Sequence, residues 1–233
     1  MSLNELKKEM QSLANHQQAT LLQRFFKTGK GEYGEGDVFL GIKVPVQRSV
    51  TKKYKDLPLN DVRELLNSKI HEHRLIALLI LIQKYDEAEE NVRKEIFDIY
   101  LKNTKNINNW DLIDLSAPNI VGNYLLDKDR RVLYKLAKSN SIWEKRISIL
   151  ATFEFIKNRD IKDALAIAEL LLQDKHDLIH KAVGWMLREL GKRVSQEEEE
   201  KFLRKHYKQM PRTMLRYAIE RFDEKKKEFY MSK

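Results

Sequence analysis

One register repeats along this chain. The segments EHRLIALL, NNWDLIDL, EKRISILA, HKAVGWML and LRYAIERF can be laid over one another, with anchors at Arg74, Trp110, Arg146, Lys181 and Arg216. The intervals are 36, 36, 35 and 35 residues. A steady period of this size, with two or more helices per unit, belongs to α-solenoids, in which each repeat buries its apolar face only against its neighbours. No tetratricopeptide consensus is visible, so the repeats read as HEAT-like. The expected fold is all-α: an α-solenoid, or superhelix, of HEAT-like antiparallel helical repeats, forming a single domain over residues 1–233.

The local pattern agrees. Glycine and proline number only 8 and 4, and five of the glycines fall between Gly29 and Gly41. Elsewhere apolar residues recur at helical spacing with short breaks. The pattern predicts helices near 3–14, 17–28, 45–55, 60–68, 71–84, 89–103, 109–115, 117–127, 129–138, 141–157, 160–172, 176–191, 195–208 and 212–229. Ser141 with Glu144, and Ser195 with Glu198, have capping-box spacing. The acidic run Glu197–Glu200 sits where a helix dipole favours negative charge, so its structural role is sufficient.

Composition removes whole classes of function. The chain has no cysteine, which excludes a disulfide scaffold, a Cys-ligated zinc, an iron–sulfur cluster and a thiol nucleophile. The longest apolar run, Leu75 to Ile82, is far below the ~20 residues a membrane helix needs. A soluble, cytoplasmic monomer is expected, with no membrane partner. Residues 1–100 carry 16 basic and 15 acidic side chains, whereas residues 101–233 carry 28 and 20. A basic half on an otherwise balanced chain points to a polyanion. Four of the five repeat anchors are cations, and regularly spaced cations along a groove suit a nucleic-acid backbone.

Trp110 and Asp114 stand four apart and share a helix face. Arg146 lies one repeat on, and Trp185 one turn beyond Lys181. These four residues can converge across three adjacent repeats. Each also has a plain structural role: the indoles as packing anchors, Asp114 as a cap for the next helix beside Ser116, Arg146 as the partner of a nearby acid. Lys201, Arg204, Lys205 and Lys208 form one basic helical face, read either as solvated or as a row of phosphate contacts. The Lys225–Lys227 run reads as a frayed, solvated end.

The runs NNWDLIDLSAP, SIWEKRISIL and HKAVGWMLREL, with FLGIKVPVQR near residue 39, resemble the AlkD-like DNA alkylation repair family, HEAT-like repeat DNA glycosylases of N3- and N7-alkylated purines. The likeness spans nearly the whole chain. It implies that Asp114 is the catalytic carboxylate, that Trp110 and Trp185 are aromatic walls against the lesion-bearing nucleotide, and that Arg146 contacts the catalytic site and backbone. It implies double-stranded DNA as partner; the repeat's groove cations Arg74, Lys181 and Arg216 are then expected to hold its phosphates. The family also carries an aromatic residue, often tyrosine, on its second helix. Here that position is Phe25, with Phe26 as the one-residue alternative, and the hydroxyl is missing either way. The stretch GKGEYGEGDVFLGI is a longer glycine-rich link than the resemblance leads one to expect.

The chemistry suits these residue types. An N3- or N7-alkylated purine is cationic and already a good leaving group. As the glycosidic bond breaks, positive charge moves onto the sugar, where a carboxylate stabilises it and orients water. Indole faces add cation–π attraction. No lysine nucleophile is needed, so hydrolysis without strand cleavage is expected. The alternative function is a non-catalytic DNA-binding protein on the same scaffold, recognising DNA shape or damage; a protein-binding adaptor is a third, which the basic balance disfavours. No cofactor or metal is expected. Gly29-x-Gly31-x-x-Gly34 follows a helix rather than a strand and reads as a flexible link, not a dinucleotide loop. His176 and His180 have i, i+4 spacing without the glutamate or third ligand of a zinc site.

Overall fold

The computed structural model describes residues 1–232. Among them are fourteen α-helices and no strand ladder; the only β-type pairing is an isolated bridge between Val38 and Ile70. Among the described residues no helix is long and apolar enough to cross a membrane. Two compact units are present, Met1–Leu112 and Ile113 to the C-terminus, and the division falls within one short helix, Trp110–Ser116.

In the first unit the helices are α1 (Leu3–Ser12), α2 (His16–Phe25), α3 (Val44–Lys53), α4 (Leu59–Leu66), α5 (His71–Glu87) and α6 (Glu90–Lys102). Helix α5 is the spine. Its residues from His71 to Leu81 are all buried, and α3, α4 and α6 pack against it. A helix apolar on every side must be wrapped in this way. At the start of α1, Ser2 and Glu5 form a full reciprocal capping box.

The segment expected as a flexible glycine-rich link is instead a built loop. The Glu32 and Glu35 side chains accept from the N–H groups of Gly29 and Gly31. Its far end is fastened by Glu72, whose buried carboxylate accepts from the N–H groups of Leu40, Gly41 and Ile42 at 3.0, 2.8 and 3.2 Å. Gly41 has φ of +84°, and a Cβ there would collide with the backbone of Asn15 and Ala19. Only glycine fits this close approach.

After the short helix α7 (Trp110–Ser116), the second unit contains α8 (Arg131–Ala137), α9 (Ile142–Lys157), α10 (Lys162–Leu170), α11 (Asp177–Arg193), α12 (Gln196–His206), α13 (Arg212–Ala218) and α14 (Glu224–Met231). Helix α9 packs against α8, α10 and α11, and α11 in turn against α12 and α13. Ser141 and Ser195 cap α9 and α11's successor α12, accepting from the N–H groups of Glu144 and Glu198. The stretch 117–127 opens as a wide π-helical turn, Ala117–Gly122, rather than an α-helix. Pro118 removes a backbone donor there. Residues 212–229 form two helices, not one, because Asp223 starts a new helix by accepting from the N–H of Lys226. Helix α14, which carries the Lys225–Lys227 run, is docked rather than frayed: Tyr230 is buried against Tyr207 and Phe222, and Lys226 pairs with Glu200.

Candidate functional site

Each unit places part of the expected constellation. In the second unit, α7 presents Asp114 and α9 presents Arg146. The guanidinium grips the carboxylate with both prongs, Nε to Oδ1 and Nη2 to Oδ2, each at 2.7 Å. Its remaining arm, Nη1, donates to the Leu178 carbonyl at 2.6 Å. The Arg146 side chain is only 6% exposed, whereas Asp114 is 21% exposed. A bidentate, charge-assisted pair fixes the plane of the carboxylate. One face of Asp114 therefore reaches solvent while its orientation is set from within. Both carboxylate oxygens accept from Arg146, so Asp114 stands in a bidentate ion pair.

Trp185 lies on α11, half-buried, with its ring 6.3 Å from that of Phe153. The glycine before it has a packing reason. A Cβ on Gly184 would collide with the Met214 carbonyl and the Tyr217 side chain, so glycine lets α13 close onto α11. That contact sets the level at which Trp185 stands.

Trp110 belongs to the first unit and sits in an aromatic cluster. Its ring lies 5.7 Å from Phe25 and 5.2 Å from Phe26, and Phe26 stacks on Phe39 at 5.2 Å. The two phenylalanines divide cleanly: Phe25 is 61% exposed and Phe26 only 7%. Phe25 is thus the surface aromatic of α2, and Phe26 is core. A tyrosine that the sequence reading missed also arrives here. The glycine-rich loop brings Tyr33 to Trp110, whose Nε1 donates to the Tyr33 hydroxyl at 3.3 Å. Tyr33 Oη in turn lies 3.5 Å from the Phe25 carbonyl. A hydroxyl therefore stands beside Phe25, delivered by the loop rather than by α2.

Beneath this cluster runs a buried charge network. His71 Nδ1 meets Asp37 at 3.0 Å and Nε2 meets Asp111 at 2.8 Å, while Arg74 Nη2 donates to Asp37 at 2.6 Å. Burial opposes the charged imidazole, yet Asp111 and Asp37 outweigh it and push the His71 pKa up to about 9. Burial likewise opposes ionisation of Asp37, and His71 and Arg74 together hold its pKa below the usual carboxylate range.

This network corrects the expectation for Arg74. Its side chain is 4% exposed and committed to Asp37 and to the Ser68 carbonyl, so it is not a phosphate contact. Arg146 is likewise drawn inward and orients Asp114 instead of lying along a surface. The other cations are at the surface. Arg216 is exposed; Lys181 pairs with Asp177 at 3.0 Å. Of the α12 face, Lys201 pairs with Glu197 and Glu198, Arg204 with Glu200 and Lys205 with Glu169; the Lys208 ammonium lies 6.0 Å from the Tyr207 ring centre. Such exposed pairs are worth little and can exchange for another anion. The two histidines serve the backbone: His176 Nδ1 accepts from the N–H of Leu178, and His180 Nε2 lies 2.5 Å from the Asp174 carbonyl.

A family model described as DNA alkylation repair enzyme matches residues 6–222. The chain belongs to the DNA alkylation repair enzyme family. The solved structure of a predicted DNA alkylation repair enzyme from Enterococcus faecalis shares its fold. That likeness has a TM-score of 0.69 at 13% identity, over 91% of this chain and 97% of the other. No curated protein matches the sequence. Membership agrees with the all-α architecture and supports a role in DNA repair.

Proposed function

We propose that this family member is a DNA glycosylase that hydrolyses the N-glycosidic bond of cationic N3- or N7-alkylated purines in duplex DNA. The observation that carries the reading is the Asp114 carboxylate, partly open to solvent and held in one orientation by the buried Arg146. As the cationic base departs, the deoxyribose gains oxocarbenium character. A fixed negative charge stabilises that state more than the ground state, which is the condition for catalysis. Asp114 also accepts a hydrogen bond from the attacking water. Arg146 acts through Asp114, as a positioning residue. Trp110 and Trp185 contribute indole faces that attract positive charge, roughly 0.5–2 kcal/mol each. The reaction needs no metal and no covalent enzyme intermediate, and it leaves an abasic site in an uncut strand. Within the first unit, Tyr33 stands beside Trp110 and Phe25 with the hydroxyl that Phe25 lacks.

The test is single-turnover release of bases from methylated duplex DNA. Asp114→Asn keeps the shape and removes the charge. Excision should fall by about 2–4 kcal/mol in activation free energy, with DNA affinity held or improved. Undiminished excision by this variant would overturn the catalytic assignment. Wild-type protein that binds such DNA without releasing bases would favour the non-catalytic, shape-recognising alternative.

A further inference from the structure

Two bonds along one edge of the guanidinium fix the plane that Asp114 and Arg146 share, but they leave the pair free to swing together about the arginine stem. The third bond opposes that swing. Arg146 Nη1 donates to the Leu178 carbonyl at 2.6 Å, within the second unit. Leu178 is the second residue of α11. A helix frays most easily in its first turn, because the leading N–H groups have no partner inside the helix. The far anchor of the Asp114–Arg146 pair is therefore only as steady as the start of α11.

Side chains hold that start. His176 precedes the helix, and its Nδ1 accepts from the N–H of Leu178 at 3.1 Å. The imidazole takes the place that Asn, Asp or Ser usually holds at a helix start. Asp174 fixes the histidine in turn. Its Oδ1 accepts from the His176 N–H at 2.8 Å, its Oδ2 pairs with Lys145 at 2.7 Å, and its carbonyl accepts from His180 Nε2 at 2.5 Å. The Asp174 side chain is 7% exposed. Burial opposes its charge, but Lys145 and the His176 N–H outweigh burial and hold its pKa below the usual carboxylate range. Lys145 and Arg146 are consecutive on α9, so one helix grips the entry to α11 at both Asp174 and Leu178. Such precision matters for catalysis, since misplacing a reacting group by about 1 Å can cost about a hundredfold in rate.

We propose, on the glycosylase reading of Asp114, that His176 is a positioning residue for excision: by capping α11 it holds the Leu178 carbonyl, which holds Arg146, which holds Asp114. It acts through the backbone and the arginine, not on the substrate.

Single-turnover excision from methylated duplex DNA, DNA affinity and melting temperature of the wild type, His176→Ala and His176→Asn test this. Alanine has no acceptor, and excision should fall at least tenfold with affinity held within twofold. Asparagine sets an oxygen acceptor at similar reach from the backbone and should restore most of the rate. A second readout does not depend on catalysis. In NMR spectra of the isotope-labelled protein without DNA, the Arg146 side-chain N–H signals, assigned by their loss in Arg146→Lys, should be resolved from one another because the guanidinium is held at both ends. They should broaden or merge in His176→Ala and return in His176→Asn. A lowered melting temperature with excision and spectrum intact would mark a plain helix cap, and weakened affinity with the rate at saturation intact would mark a DNA contact. Either result overturns the positioning role, as does failure of asparagine to restore the rate. Wild-type protein that releases no base overturns the excision reading instead, and the spectra alone then decide whether His176 fixes Arg146.

Discussion

Arg74 and Arg146 occupy the same position two repeats apart, and each is gripped by an aspartate from earlier in the chain, yet the two pairs have different outcomes. In the first unit both partners are sealed, Arg74 and Asp37 at 4% exposure each, and His71 closes the remaining side of the carboxylate. In the second, Arg146 is as buried as Arg74 but its partner Asp114 keeps 21% exposure. Two sealed charges can only support the fold around them. A carboxylate oriented from behind and open in front can also act on a substrate. The same sequence device therefore yields a structural element in one unit and a candidate catalytic group in the other.

The sharpest way to break this contrast is to remove each arginine. Arg74→Met strands Asp37 in the interior and should cost about 3–5 kcal/mol of unfolding free energy. Arg146→Met should cost less, about 1–2 kcal/mol, because Asp114 can rehydrate through its open face. Urea unfolding of the two variants gives the comparison. Equal losses would dissolve it.

His71 sharpens the contrast through pH. Its pKa is about 9 in the folded protein against an ordinary 6.5. A raised pKa means that the stabilisation is fully present below pH 6.5 and is lost as pH rises through 9. The full swing is roughly 3 kcal/mol. Unfolding measured at pH 6 and at pH 9.5 should show that loss in the wild type and a much flatter response in His71→Gln.

A smaller effect is expected at the loop. Tyr33→Phe removes the hydroxyl that accepts from Trp110 and should slow excision by less than tenfold. Phe25→Tyr in that background should restore the rate, with little change in DNA affinity. Single-turnover excision by the two variants would show whether the position of the hydroxyl or only its presence matters. The smallest expected change in stability is at Arg216, which is exposed. Arg216→Ala should alter stability by no more than about 0.5 kcal/mol. It should still weaken DNA binding and reduce the log–log salt slope by about 0.9, one phosphate contact. Affinity indifferent to salt would remove the surface cations from the account.

Much of the fold was legible because its signals are local. Helical periodicity, scarce breakers and serine caps act within a few residues, and the helices expected at 71–84, 141–157 and 176–191 appear as His71–Glu87, Ile142–Lys157 and Asp177–Arg193. Where a local signal was overlooked the expectation failed locally too, at Pro118 and at the Asp223 cap. The sequence placed Asp114 and Arg146 in one constellation and allowed Arg146 a nearby acid as partner, but it identified neither that acid as Asp114 nor the unequal exposure of the two.

By itself, the sequence determined that the chain is helical, that it repeats, and which residue types stand at each repeat's anchor. Tertiary structure alone decided what those anchors do. A period identifies positions that pack alike. Whether a cation at such a position turns inward depends on a carboxylate that arrives from a distant helix or loop, as Asp37 does for Arg74. Neighbouring Phe25 and Phe26 point about 100° apart on a helix, and only the packing of Phe39 and His71 settles which of them is core. Tyr33 carries no periodic signal at all. Its hydroxyl reaches Trp110 because Glu72, far along the chain, fastens the end of the loop that bears it. Long-range burial and charge pairing are properties of the assembled interior, and no local pattern contains them.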